Sequence, residues 1–326
     1  MHPPTIPARE ARFWYTFGLG GISALLFIVL VITGVLEMFI YVPTPDGAPS
    51  SVREITYQAP YGWLIRNMHF WAGQLMVGTV ALHMARVVFS GGYKGRRFNW
   101  LIGIALLALT ILLDFTGYVL RWDQDTGWAL LVGTNLLKEI PAIGPALYRI
   151  VVGGEEIGGP TLLRFYTWHV FGLALVTFVF IVWHSFRVRR DGGISNRAAQ
   201  PRVRRENLVR TEVTGGLLAI AALVALSVIA DAPLGPPADT ATLITEPNAP
   251  WFFRWVQELL RIAPPFLAGV LTPVVILLIL SGLPYTLDRS DTAAAQWFNR
   301  PGRAVQIVFL IILIGVAVLT LRGALR

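Results

Sequence analysis

Seven stretches of this 326-residue chain are apolar and long enough to cross a bilayer: about 14–40, 61–89, 100–120, 161–186, 212–231, 264–283 and 304–322. Lipid cannot satisfy an open peptide N–H or C=O, so each stretch is confined to a helix that closes its own hydrogen bonds. Composition agrees, with 55% hydrophobic and 14% charged residues and a mean hydropathy of +0.60. The expected fold is all-α, a polytopic membrane protein of seven transmembrane helices. A pI near 10.2 would suit a nucleic-acid binder, but the basic residues follow topology, so nucleic acid is not an expected partner. Lys94, Arg96 and Arg97 fall in connection 90–99, and eight arginines (187, 189, 190, 197, 202, 204, 205 and 210) in 187–211. Arg9 and Arg12 precede the first stretch, and Arg289, Arg300 and Arg303 follow the sixth. All four regions share one side in a seven-span count, and the positive-inside rule makes that side the cytoplasm. The N-terminus is thus expected inside, in a bacterial or archaeal-type inner membrane. The first stretch is too long for a signal-peptide core and reads as retained.

Four of the five histidines lie inside these stretches, and they pair by spacing. His69 and His83 are 14 residues apart in the second, and His169 and His184 are 15 apart in the fourth. At 1.5 Å per residue, each stretch carries two imidazoles about 21–23 Å apart on nearly one side. Both stretches run the same way through the membrane, so His69 can face His169 and His83 can face His184. Ionisable groups in lipid are costly and usually functional. Two planar cofactors, each held by two imidazoles, suit this geometry: two b-type haems in series. Without cysteine there is no thioether link and no iron–sulfur cluster, and imidazole is the remaining iron ligand type in the bilayer.

Glycine repeats the spacing on the stretches that lack histidine. Gly20 and Gly34 are 14 apart in the first, and Gly103 and Gly117 are 14 apart in the third. A macrocycle edge against a helix backbone needs residues without a Cβ; close helix packing is the plainer explanation. Arg66 and Arg86 lie three residues from His69 and His83, placed either to bind haem propionates or to snorkel. Connection 121–160 carries Trp122, Trp128, Leu130 and Leu131 among Gly and Pro, which predicts short interfacial helices. With the Pro-rich and aromatic connection 232–263, it forms either a pocket for a lipid-soluble molecule or an aromatic belt.

The chain resembles cytochrome b of the bc-type quinol oxidoreductases, and is most similar to the branch used in photosynthetic cytochrome b-six complexes. The resemblance covers nearly the whole chain. It rests on Tyr61-Gly62-Trp63-Leu64-Ile65-Arg66 before His69, and on His83 with Arg86. It extends through Gly117-Tyr118-Val119-Leu120, Ile140-Pro141-Ala142-Ile143-Gly144 and Thr161-Leu162-Leu163-Arg164-Phe165-Tyr166. The 15-residue spacing, Trp122-Asp123-Gln124 and Gly192-Gly193-Ile194-Ser195 favour the b-six branch. The resemblance implies a four-helix di-haem part, 1–211, fused to a three-helix part, 212–326, that resembles that branch's separate subunit. It also implies that His69 and His169 hold an outer haem and His83 and His184 an inner one. Quinol would be oxidised at an outer pocket formed by 121–145 and 249–258. One electron would go to a Rieske iron–sulfur protein or another redox subunit, and one inward through both haems to a second quinone site. The protein would work in a respiratory electron-transport complex, as a homodimer.

Two departures touch the outer pocket. The family's Pro-Glu-Trp-Tyr, whose glutamate is thought to take a quinol proton, is matched here by Ala249-Pro250-Trp251-Phe252. Proline cannot act as a base. Arg121 stands where the family usually has proline. The expected proton acceptor is therefore one of Asp123, Asp125 or Glu258, with Glu139 also near in sequence. The alternative is a di-haem adaptor that passes electrons between quinone and a partner enzyme without bifurcation. Gly18 occupies the position at which the b-six branch attaches an extra haem through cysteine, so no covalent third haem is expected.

Overall fold

A computed structural model describes residues 4–8, 12–191, 201–237 and 248–325. Arg9, Gly192-Gly193-Ile194-Ser195 and Arg197 lie outside the described residues. Seven helices are long and apolar enough to cross a membrane: Leu19–Met38, Gly62–Phe89, Arg97–Val119, Gly159–Arg190, Arg205–Ile229, Phe266–Thr286 and Arg303–Ala324. They are called the first to seventh spans below. Each falls on one expected stretch. The boundary expected at 211/212 lies within the fifth span, which begins at Arg205.

The first four spans pack in sequence, first on second, second on third and third on fourth. The fifth leans on the first and second, the sixth on the third, and the seventh on the second. Leu26, Phe27, Val29, Ala72, Met76 and Leu223 form the seam with the fifth span. Val88, Trp100, Ile104, Leu280, Leu283, Val305 and Phe309 form the seam with the sixth and seventh. Without water to drive apolar association, directional bonds help fix these contacts. Asn67 donates to Ser227 O and accepts from Ala232 N, Trp71 Nε1 donates to Ala230 O, and Trp100 Nε1 donates to Leu280 O. The four-helix and three-helix parts are thereby knit into one bundle.

Connection 121–160 forms helices Gln124–Lys138 and Gly144–Val152, as its apolar content predicts. The first is N-capped by Asp123, whose carboxylate accepts from Thr126 N at 3.0 Å. The second stops at Gly153, whose φ of +89° only glycine adopts freely. A helix over Gly47–Tyr57 was not expected from the sequence. Two short strands, Thr5–Pro7 and Arg202–Arg204, pair antiparallel and tie the N-terminal segment to the start of the fifth span.

The fourth span is not a uniform α-helix. Trp168–Gly172 is a π-helical turn, which accommodates about one residue more than an α-turn. Fourteen residues of ideal helix return to within about 40° of the starting direction, whereas fifteen overshoot by about 60°. The π-turn begins beside His169 and absorbs the extra residue. The 15-residue pair therefore matches the 14-residue pair across the bundle.

Candidate functional site

The four intramembrane histidines meet as two pairs. The rings of His69 and His169 have centroids 6.2 Å apart, and those of His83 and His184 are 6.4 Å apart. Each pair looks into its own cavity. The first, about 460 Å³, is lined by Gly34, His69, Gly117 and His169 together with Arg66 and Arg121. The second, about 370 Å³, is lined by Gly20, His83, Gly103 and His184 together with Arg86 and Arg96. Among the described residues, no cluster of three or more His, Cys, Asp or Glu side chains could hold a bare metal ion. The imidazoles come only in twos.

Each glycine of the quartet abuts one imidazole. A Cβ on Gly117 would lie 2.5 Å from His169 Cε1, on Gly34 3.0 Å from His69 Cε1, on Gly20 3.1 Å from His83 Cε1, and on Gly103 3.6 Å from His184 Cε1. The 14-residue glycine spacing is thus the footprint of the histidine spacing on the neighbouring helices. The glycines make room for the ring faces as well as for whatever fills the cavities.

Two residues missed in the sequence set the first pair's orientation. Thr33 Oγ1 lies 2.9 Å from His69 Nδ1, and Thr116 Oγ1 lies 3.2 Å from His169 Nδ1, which also faces Leu113 O at 3.0 Å. Engaging Nδ1 leaves Nε2 for the cavity. Each threonine directly precedes one of the glycines, so the Thr-Gly pairs 33–34 and 116–117 were the available signal. Their counterparts in the second cavity are Leu19 and Ile102.

Both expected arginines line a cavity. Arg66 donates to the carbonyls of Ala232 and Pro233. Arg86 donates to Tyr15 O at 2.8 Å, with its guanidinium 4.2 Å from the centre of the Tyr15 ring. The first cavity also holds two acids that the sequence reading passed over, Glu37 and Asp114, and the amide of Gln74. Charged residues inside spans were the signal for them.

The three expected proton acceptors are placed elsewhere, and none lines either cavity. Asp123, 1% exposed, pairs with Arg121 at 3.1 Å, caps its helix and accepts from Gly235 N. Asp125 is exposed in the first turn of that helix. Glu258 is buried between Arg261 at 3.1 Å and Arg322 at 3.2 Å. The two apolar loops do meet, with Gly235 N donating to Asp123 Oδ2 at 3.1 Å and Gln124 N to Pro236 O at 3.0 Å. The second also reaches the spans, where Trp251 Nε1 donates to Gln74 Oε1 at 2.7 Å and Phe253 stands edge-on to Phe115.

Fold and site together define a helical membrane protein built around two paired-imidazole cavities, one near each end of a four-helix bundle. A family model described as cytochrome b/b6/petB matches residues 7–192, and one described as cytochrome b(C-terminal)/b6/petD matches 237–326. Cytochrome b6 of Heliomicrobium gestii is 41% identical over 192 residues, covering 59% of this chain and 88% of that protein. Cytochrome b6 of Bigelowiella natans is 41% identical over 175 residues, covering 53% and 81%. A chain of a solved "Hyperthermophilic respiratory Complex III" has the same fold, with a TM-score of 0.83 at 24% identity over 95% of this chain and 84% of that one. The chain belongs to the cytochrome b/b6 family.

Proposed function

We propose that this chain is the haem-bearing cytochrome b subunit of a membrane quinol oxidoreductase, with His69 and His169 holding one b haem and His83 and His184 the other. The observation that carries this reading is the ring separation. A metal–imidazole bond of about 2 Å on each side, with each nitrogen about 1.1 Å from its ring centre, sets two coaxial rings about 6.2 Å apart. The observed 6.2 and 6.4 Å fit. The glycine quartet leaves the ring faces clear, and Arg66 and Arg86 supply guanidinium groups suited to propionate carboxylates.

Haems held there supply one-electron carriers near opposite faces of the bilayer. The chain's own residues orient the ligands through Thr33 and Thr116 and exclude water with apolar spans. A haem held by both imidazoles of a pair would supply electron transfer and not oxygen binding. The cavity of His69 and His169 is the outer one if the arginine-rich connections are cytoplasmic. A Rieske-type or other redox subunit, quinone, lipid and a second copy of the chain are the partners this reading requires.

A non-bifurcating di-haem adaptor is the second reading, favoured by Pro250 and by Arg121 on the wall of the outer cavity. Purifying the complex from membranes separates the two. Two b haems per chain, a co-purifying iron–sulfur subunit and inhibitor-sensitive quinol oxidation establish the first reading. Two haems beside a different redox enzyme, without such oxidation, establish the second. Fewer than two haems overturns both.

A further inference from the structure

We propose that Asp114 is the carboxylate that takes a proton from quinol on the side of the His69–His169 cavity, an assignment that rests on the quinol oxidoreductase reading above. Asp114 sits inside the third span and lines that cavity. An acid in a membrane span is expensive to keep there and is by default a functional group. Three features show that the fold is built to hold it.

Gly73 gives it room, since a Cβ there would lie 2.8 Å from Asp114 Oδ1. Gln74 holds it, with Nε2 donating to both carboxylate oxygens at 3.3 and 3.4 Å. Trp251 then fixes Gln74. An indole N–H only donates, so its 2.7 Å bond demands Oε1 on that side and turns the amide N–H₂ toward Asp114. The carboxyl group is thereby kept as an acceptor. One shared N–H leaves most of its lone pairs open, and quinol uses them at the edge of the cavity beside Gln74 and Trp251, outside the space between the two imidazoles. The relay starts at Trp251, directly after Pro250, so the acid is coupled to the loop that lost its own.

The step is a single proton transfer. The quinol O–H bond breaks, an O–H bond forms on Asp114, and the bonding pair stays on the quinol oxygen. The resulting anion gives up its second proton to water as two electrons leave, one at a time, to the one-electron carriers of the complex. Besides the two imidazoles of His69 and His169, the charged and titratable groups on the same cavity wall are Glu37, Arg66, Arg121, Tyr41 and Tyr118. Glu37 is the rival acid on the same wall, without the glutamine clamp that ties Asp114 to Trp251.

The test uses membranes carrying the intact complex, with decylubiquinol and menadiol as probes, after dithionite has established the haem content. Asp114→Asn should keep both haems and slow quinol-driven haem reduction on the order of 100-fold at neutral pH. Asp114→Glu should restore much of the rate with a displaced pH profile. The quinol-induced infrared difference spectrum should lose a carboxyl band in Asp114→Asn. Trp251→Phe should give an intermediate rate and its own displacement of the pH profile, as befits a positioning residue. Wild-type rate and pH profile in Asp114→Asn would overturn the assignment. So would loss of rate in Glu37→Gln with Asp114→Asn intact, which would move the role to Glu37. If the wild type accepts no electrons from either probe although dithionite reduces both haems, the quinol reading itself fails and takes this step with it.

Discussion

A Cβ on Gly117 would stand 2.5 Å from Cε1 of His169, closer than a real Cβ comes to a neighbouring carbon. One of the two must move, and His169 is the one that has a ring to swing. The other three glycines allow 3.0 Å at Gly34, 3.1 Å at Gly20 and 3.6 Å at Gly103. An overpacked methyl group typically costs about 1–3 kcal/mol. The alanine variants should therefore be graded. Gly117→Ala should lose most of one haem, Gly34→Ala and Gly20→Ala should lose part of one each, and Gly103→Ala should stay near wild type. Haem per chain, measured as the pyridine haemochrome, checks the order. Equal effects across the four would assign them to ordinary helix packing.

His83→Ala should remove the haem of the second cavity and leave the other spectroscopically intact. The two cavities share no lining residue, so the His69–His169 pair loses no contact to a cavity-lining neighbour. Redox titration of the variant should show a single one-electron wave where the wild type shows two. Loss of both haems with the helical content preserved would mean that the sites assemble together.

Much of this was legible in the sequence because bilayer physics leaves few choices. The seven spans follow from apolar length, and the pairing of His69 with His169 and of His83 with His184 follows from periodicity and parallel direction. The reason for a 15-residue second spacing was not legible. It lies in a π-turn at Trp168–Gly172 that no side chain announces. Nor could the glycines be matched to individual rings, because that match depends on how adjacent helices are rotated. Thr33 and Thr116 were hidden in plain view, since threonine in a span commonly bonds only its own helix. The engagement of Asp123 was hidden for the opposite reason. Its partner Gly235 lies 112 residues away, so an acid that looks free in the sequence is fully engaged in the fold.

The buried pair of Lys94 and Asp288 joins the 90–96 connection to the end of the sixth span. Nζ and Oδ2 are 2.6 Å apart, both side chains are essentially inaccessible, and Tyr93 donates to Asp288 at 2.7 Å. Burial alone would raise the Asp288 carboxyl, but hydrogen bonds from Lys94 and Tyr93 and the lysine charge together hold it below its ordinary value of 3.8. A lowered native value means that this stabilisation is complete above about pH 4 and fades as pH falls through the native value. Lys94→Met strands a buried carboxylate and should destabilise the protein by about 3–5 kcal/mol at pH 7. The deficit should shrink as pH falls, because burial without the lysine raises the Asp288 carboxyl and lets it be protonated, and should be smallest at pH 3.5. Thermal unfolding of wild type and variant in detergent at pH 7 and pH 3.5 reads both effects, and a deficit independent of pH would refute the pairing as its cause.

Glu258 is expected to matter for stability, not for proton transfer. It is 2% exposed, sits between Arg261 and Arg322, and packs its Cγ 3.2 Å from where a Cβ of Gly323 would be. It therefore fastens helix Arg254–Leu260 to the last turn of the seventh span. Glu258→Gln keeps the shape but leaves two cations without their shared carboxylate. Both arginines are about half exposed and can turn to water, so the loss should be moderate, about 1–3 kcal/mol. The melting temperature should fall by several degrees, and limited proteolysis near the C-terminal end of the seventh span should speed up. Quinol-driven haem reduction should fall only in proportion to the folded fraction, with its pH dependence unmoved. A displaced pH profile at unchanged stability would instead make Glu258 a proton carrier, and would require a path from it to the cavity that holds Asp114.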